Sequence, residues 1–455
     1  MFSVALSLKE HLEVNDVGHL TLHGVDLVEL AGRYGTPLFV FDEATLVGNF
    51  ERFRRAFESF YPKVLVCYSI KTNNNLAICR ILREKGAYAE VSSALDLHIA
   101  LKAGFPGERI IYDGPFKPAD ALEKAIKEHV LLINCESLAE LERLDKVAES
   151  LGVRQAVGLR VNPFRDPGFS KYFSLNKLVN AAYCNLDGKF GFSLDEAYAA
   201  FEKALKFKNL SVEGIMAHPY RDATRVLPPL ISELREGLGI KFKYVNVGGG
   251  FYSGDVRFVG GKELISDFLR RKIGLKSKLT EEVAVPSIEA VAKALLSEIG
   301  NSLKELSDPV LIVEPGRFIT SSAGILLVRV DHVKSAGGYK WAFVDAGTNI
   351  LPRFSAVELR RVVVANKASD DPCEEYNVSG PLLYSDDFIT LKAQLPEVCE
   401  GDILAILCCG AYTLSRSNQF LYPRPAALLV GSNSEVRVIR ERETFEDVFY
   451  KDRNI

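Results

Sequence analysis

The sequence has no CxxC pair among its eight cysteines and no HExxH among its seven histidines. The first absence removes the usual hooks for a structural zinc or a dithiol redox pair, and the second removes a zinc-protease helix. Cys408 and Cys409 are adjacent, which suits neither an ordinary disulfide nor a metal hook. Free thiols in a reducing cytoplasm are therefore the expectation. No uncharged apolar run approaches the roughly 20 residues of a membrane-spanning helix. The opening MFSVALSLKEHLEVND has no basic region, and Lys9 and Glu10 end its short apolar stretch, so it does not read as a secretory signal. A large charge of either sign is missing too. The formal net charge is −3, too little to gather nucleic acid or an acidic membrane surface. One HxxxH spacing occurs, at His19 and His23, inside the strand-like GHLTLHGVDL. On a strand those imidazoles stand about 13 Å apart, so no metal is expected there.

What the chain does have is length and apolar material. Its 455 residues fit two domains, and 47% hydrophobic with 25% charged residues is ordinary for a globular protein. Eight short apolar runs begin at Val64, Ala87, Arg109, Val130, Ala156, Val212, Lys243 and Val310. Between most of them lie segments with apolar residues at three- and four-residue spacing, several ending in glycine, such as SALDLHIALKAG and SLAELERLDKVAESLG. This alternation predicts a parallel (β/α)8 barrel over residues 37–320. An open doubly wound sheet is built from the same units and is the alternative. The segment from Phe251 to Leu306 carries the basic stretch FLRRKIGLKSKL and reads as an insertion with a solvated face. After Ser321 the runs follow one another with turns and few helical stretches. Residues 1–36 and 321–455 are expected to form a β-rich sandwich or barrel domain.

In such a barrel, chemistry sits at the carboxyl ends of the strands. Those ends carry Lys71, Glu90, Asp113, Asn162 after Arg160, His218, Gly248-Gly249-Gly250 and Glu314-Pro315-Gly316-Arg317. Taken singly, a lysine after a strand is usually solvated, a lone histidine is usually a filler, and three glycines make a turn. Together they supply an amine, an imidazole, a carboxylate with an arginine, and a glycine cradle. That set matches the needs of pyridoxal 5′-phosphate (PLP): an amine for a Schiff base, close backbone donors and a cation for the phosphate, a carboxylate at the pyridine nitrogen, and a flat neighbour for the ring.

These motifs, in this order, resemble the diaminopimelate/ornithine/arginine decarboxylase group of barrel-fold PLP enzymes. The resemblance runs through YGTPLFVFD, CYSIKTNNN, GAYAEVSSALDL, LRVNP, DGKFGF, VGGGF, EPGR and GAY, and so covers nearly the whole chain. It implies that Lys71 holds the cofactor and that Glu90 lies near it. It places His218 on the ring face and Gly248, Gly249 and Gly250 at the phosphate. Glu314 would face the pyridine nitrogen, with Gly316, Arg317 and Tyr412 near the phosphate. It further implies a homodimer whose β-rich domain completes the partner's active site.

The departures from that pattern concern the substrate side. His218-Pro219-Tyr220-Arg221 stands where the group has H-x-G-S, so the phosphate-binding serine is missing and Arg221 is a possible replacement. In GPLLYSDDF, Leu383 replaces the group's cysteine and Tyr384 its glutamate, while Asp387 and Ser385 match. Arg353 matches the arginine that reads a distal carboxylate, and Val357 stands where a tyrosine is expected. The reading is PLP-dependent decarboxylation of a basic, diamino or modified amino acid. Diaminopimelate itself is disfavoured by the missing glutamate. Lys71, His218 and Tyr384 would be catalytic, and Arg353, Tyr384 and Asp387 would bind the substrate. The alternatives are an amino-acid racemase using Tyr384 as a second base, and an inactive homologue acting as a binding protein.

Overall fold

The computed structural model describes residues 11–163, 186–252, 254, 256–259, 261–273, 275, 285–307, 309–353 and 357–453. The chain divides into two compact units, Asn49–Tyr252 with Val285–Phe318, and Met1–Gly48 with Ser253–Ala284 and Ile319–Ile455. Of the expected LRVNP and DGKFGF segments, the intervening 164–185 lie outside the described residues.

The first unit is a closed parallel barrel. Before it come β1 (Leu12–Val14), β2 (Leu20–Leu22), β3 (Val25–Asp26) and β4 (Leu38–Asp42). The barrel strands are β5 (Val64–Ser69), β6 (Tyr88–Val91), β7 (Ile110–Tyr112), β8 (Leu132–Cys135), β9 (Gln155–Val161), β10 (Leu210–Ala217) and β11 (Tyr244–Asn246). After β12 (Arg257–Val259), β13 (Val310–Val313) closes the ring between β11 and β5. All eight apolar runs of the sequence are barrel strands. They read as continuous apolar runs because both faces are covered, by helices outside and by packed side chains within. One interior cluster is Cys67, Ile111, Leu132 and Ile312, all fully buried. Truncating Leu132 to alanine there costs about 2–5 kcal/mol. The helices between strands begin and end where the sequence signals. The Ser93 and Ser137 side chains accept from Asp96 and Glu140 backbone N–H groups, and Gly152 and Gly239 close helices in the left-handed region.

The second unit holds a nine-stranded sheet. Its further strands are β14 (Gly324–Ala336), β15 (Tyr339–Val344), β16 (Val357–Leu359), β17 (Val362–Val364), β18 (Glu374–Ser379), β19 (Phe388–Leu395), β20 (Ile403–Ile406), β21 (Ala426–Val430) and β22 (Val436–Arg440). The path β19-β18-β15-β14-β4-β21-β22 forms the sheet, with β20 joining β14 to β17, while β12 pairs with β16 apart from it. The small sheet β1-β2-β3 adds Leu12, Leu20 and Leu22 to this unit's core.

The boundary differs from the expected residue 37. All five residues of β4 are buried, but its partners are β14, antiparallel, and β21, parallel. A strand covered on both faces reads alike in either unit, and only its partners decide its membership. Residues 253–284 also group with the second unit, through the pairing of β12 with β16.

Candidate active site

Lys71 lies in a single turn of 3-10 helix, Ile70–Thr72, that directly follows β5. The turn is held from below, where the buried Tyr68 hydroxyl donates to the Asn73 carbonyl at 2.8 Å. The Lys71 ammonium donates to both oxygens of Glu90, at 2.6 and 2.5 Å, and to Ser92 Oγ at 2.7 Å. Glu90 is the penultimate residue of β6 and its side chain is 1% exposed, whereas the Lys71 side chain is 43% exposed. The amine is therefore reachable while its counter-ion is fixed in the wall. Burial pushes the Glu90 carboxyl up, but Lys71 beside it and the hydroxyls of Ser69 and Ser92 bring it below the ordinary carboxylate range.

Two more carboxylates lie on the same rim. Glu314 follows β13 and Asp113 follows β7, and both are buried. They are hydrogen-bonded to one another. Asn246 Nδ2 donates to Glu314 Oε1 at 2.6 Å, and Asn134 Nδ2 donates to Asp113 Oδ1 at 2.6 Å. Burial raises Glu314 well above the usual range, and the charges of Asp113 and Glu90 raise it further. Burial and Glu90 raise Asp113 as well. Burial and mutual repulsion thus raise both carboxyls of the pair, which favours a proton held between Glu314 and Asp113.

The glycine loop after β11 fits closely against the end of β10. Gly249 N–H donates to His218 Nδ1 at 3.0 Å, and Asn246 Oδ1 accepts from Gly248 N–H at 2.8 Å. Burial, with Arg160 and Lys71 nearby, depresses His218 to about 4, so its ring is neutral at pH 7 and Nδ1 is the acceptor. Gly248 and Gly250 have φ of 66° and 94°, and a Cβ on Gly248 would stand 2.6 Å from His218 Nδ1. A Cβ on Gly316 would stand 2.0 Å from Thr72 Oγ1. Only glycine brings backbone donors this close. Arg317 opens the short helix that follows. Arg221 is exposed in the first turn of the helix Tyr220–Leu238, and its Nε donates to the Tyr220 hydroxyl at 3.0 Å.

Residues 45–321 match the family model described as pyridoxal-dependent decarboxylase, pyridoxal binding domain. The chain belongs to the pyridoxal-dependent decarboxylases. Its cofactor is PLP, and the rim fits it: an accessible amine, a neutral flat imidazole, a buried carboxylate and a loop that would not admit a single Cβ. Diaminopimelate decarboxylase from Methanothermobacter thermautotrophicus is 35% identical over 96% of this chain and 96% of its own length. That from Aquifex aeolicus is 32% identical over 96% and 97%. The crystal structure of diaminopimelate decarboxylase from M. jannaschii in complex with L-lysine has a TM-score of 0.80 at 28% identity, covering 98% of each chain.

The remaining expected residues of this decarboxylase belong to the β-rich unit. Leu383 is 88% exposed and Tyr384 44%. The Tyr384 hydroxyl meets Thr348 Oγ1, which also donates to Asp387 Oδ1 at 3.1 Å. Asp387 is buried, and its two oxygens accept from the Thr348 and Leu382 backbone N–H groups, each at 2.7 Å. Its carboxylate organises the loop that presents Tyr384. Arg353 Nη2 donates to the Asp386 carbonyl at 2.9 Å and to that of Phe388, with its guanidinium 3.5 Å over the Phe388 ring. Tyr412 sits in the turn after Gly410 at φ 56°.

Sequence reading noted Asp113 as a strand end and gave it no role. Asn134 and Asn246 it missed. The available signal was polarity, since each breaks an otherwise apolar strand at its carboxyl end (INC and VNV).

Among the described residues no helix is long and apolar enough to cross a membrane, and no disulfide is formed.

Proposed function

We propose that this decarboxylase removes the α-carboxylate, as CO2, from a basic, diamino or modified amino acid other than diaminopimelate. The observation that supports it most is the exposed Lys71 amine paired with buried Glu90 on the rim that also holds the Glu314–Asp113 pair. When bound, PLP supplies the electron sink for the bond that breaks at Cα. Lys71 would provide the amine that holds the cofactor, and Glu90 holds a proton at Lys71 Nζ. Glu314, its carboxyl fixed by Asn246 and set beside Asp113, would hold a proton at the ring nitrogen. Neutral His218 would offer its flat face, and Gly248, Gly249, Gly250, Gly316, Arg317 and Tyr412 would take the phosphate.

On the substrate side, the Tyr384 hydroxyl returns the proton after CO2 leaves, and Asp387 holds its loop through backbone N–H groups. Arg353 is the cation available to an acidic distal group. The family's glutamate is absent at Tyr384, which removes the carboxylate that would pair with a distal ammonium. The protein acts as a homodimer. Leu383, Tyr384, Phe420, Leu421 and Tyr422 are large exposed apolar side chains on the β-rich unit, and a second copy covers them.

A second reading takes diaminopimelate itself as substrate. It rests on the names of the relatives and on the matching Arg353. The test is CO2 release from ornithine, lysine, arginine, their carboxylated derivatives and diaminopimelate. A kcat/KM at least tenfold higher for another amino acid than for diaminopimelate supports the first reading. The reverse order establishes the second, and no CO2 from any of them by PLP-loaded protein overturns both.

A further inference from the structure

His11, His23 and Asp42 come together in the β-rich unit, and the decarboxylation uses none of them. His11 precedes β1, His23 stands in the turn between β2 and β3 at φ 50°, and Asp42 ends β4. Their ligand atoms all lie within 4.8 Å of one another. The two imidazoles stack with centroids 4.5 Å apart and planes 25° apart, and the His23 backbone N–H donates to the His11 carbonyl at 3.1 Å. His23 Nε2 is 2.8 Å from Asp42 Oδ1, with side chains only 10% and 6% exposed. Among the described residues no polar side chain hydrogen-bonds the His11 ring. His23 thus finds its imidazole partner in His11, not in His19 four residues earlier, which pairs with Asp26 at 2.8 Å.

We propose that His11, His23 and Asp42 bind one divalent ion of the zinc class, which staples the N-terminal strands to the end of β4. Two imidazoles and one carboxylate suit zinc, nickel or copper and disfavour magnesium and calcium, which prefer all-oxygen cages. Zinc at its usual bond lengths of about 2.0–2.1 Å spaces tetrahedral ligands about 3.3 Å apart. The widest pair here therefore closes by about 1.5 Å at most, within reach of a histidine side chain. A cavity of about 20 Å³ adjoins the cluster, its polar lining made by His11, Asp42, Thr45, Ser322 and Cys408. That is room for one water, the fourth ligand. The carboxylate is already oriented. Asp42 Oδ1 accepts from Ala44 and Thr45 N–H at 2.9 and 3.2 Å, and Oδ2 accepts from the Thr45 hydroxyl. Such supporting hydrogen bonds fix a ligand's direction before the ion arrives.

The ion links the β1–β2 hairpin to the end of β4 and binds only the folded chain, so it stabilises by mass action. At a hundredfold excess over its dissociation constant the melting temperature rises by about 3 °C for a chain of this length. The experiment uses untagged, PLP-loaded protein stripped with EDTA, with exposed Cys373 and Cys399 replaced by serine in every sample. Thermal unfolding is followed across a zinc titration that reaches a hundredfold excess over the dissociation constant; in a parallel sample free zinc is dialysed away and the bound metal is measured by plasma mass spectrometry. The expected result is one zinc per chain and the rise in melting temperature, both lost in His11→Ala and kept in His19→Ala. The His11→Ala variant leaves the His23–Asp42 hydrogen bond in place, so the hairpin stays anchored and its folding is not the variable. Zinc content near zero in the parent protein, or equal in the parent and His11→Ala, overturns the proposal.

Discussion

The rim of the barrel and the Leu383–Asp387 loop of the β-rich unit differ in how they are built. On the rim each functional group has a fixed partner: Lys71 has Glu90 and Ser92, Glu314 has Asp113 and Asn246, and His218 has the Gly249 N–H. On the loop, Leu383 is 88% exposed, and Tyr384, 44% exposed, is held at its hydroxyl by Thr348, at its carbonyl by the Asp387 N–H and at its ring by Phe420. The rim serves one cofactor whose chemistry dictates an amine, a carboxylate and a close backbone. The loop exposes Leu383 and Tyr384, and in the proposed function it meets the substrate side chain, which can change without disturbing that set.

The contrast can be broken at several points. Replacing Lys71 with alanine should lower turnover by roughly 10³-fold or more and abolish the visible absorbance of bound cofactor. Turnover within tenfold of the parent would detach the rim from catalysis. Glu314→Gln should reduce kcat by about 10²-fold with KM little changed, since it removes an electrostatic contribution and not a substrate contact. Steady-state kinetics decides this.

Asp113→Asn tests the shared proton through stability. Glu314 and Asp113 are raised in the folded protein by burial and neighbouring carboxylates, so the folded state binds more protons than the unfolded one. Their contribution is fully present below the ordinary carboxylate range and is lost as pH rises through the raised values. The cofactor-free parent should therefore weaken from mildly acidic to alkaline pH. Asp113→Asn should lessen that loss, gaining about 1 kcal/mol on the parent at pH 8 relative to pH 5 by urea unfolding. An equal difference at both pH values would contradict the shared proton. On the loop the effects are smaller. Tyr384→Phe should lower kcat by about tenfold, and Leu383→Asp should weaken self-association by about tenfold in analytical ultracentrifugation. If Tyr384→Phe cost as much as Lys71→Ala, the two regions would not differ as described.

How far these regions were legible in sequence follows the same line. The barrel strands declare themselves as apolar runs with a polar residue at the carboxyl end, because burial on both faces and a functional rim constrain each position. Lys71, His218 and Glu314 lie where that pattern puts them. The strand Leu38–Asp42 was assigned to the wrong unit, since five buried residues carry no mark of which sheet they pair with. The Asp113–Glu314 contact joins residues 201 positions apart (314 − 113), and neither local pattern nor spacing shows that two carboxylates meet. His11 and His23 were hidden for the opposite reason. They lie twelve residues apart on opposite sides of a hairpin, and the antiparallel pairing of β1 with β2, Leu12 opposite Leu22, brings them together.

The central claim is that one lysine on this rim carries the cofactor. Borohydride reduction of the PLP-loaded protein, followed by peptide mapping, tests it directly. The account predicts a single pyridoxyl group, on Lys71. A pyridoxyl group on another lysine, or none in protein that has bound PLP, would contradict it.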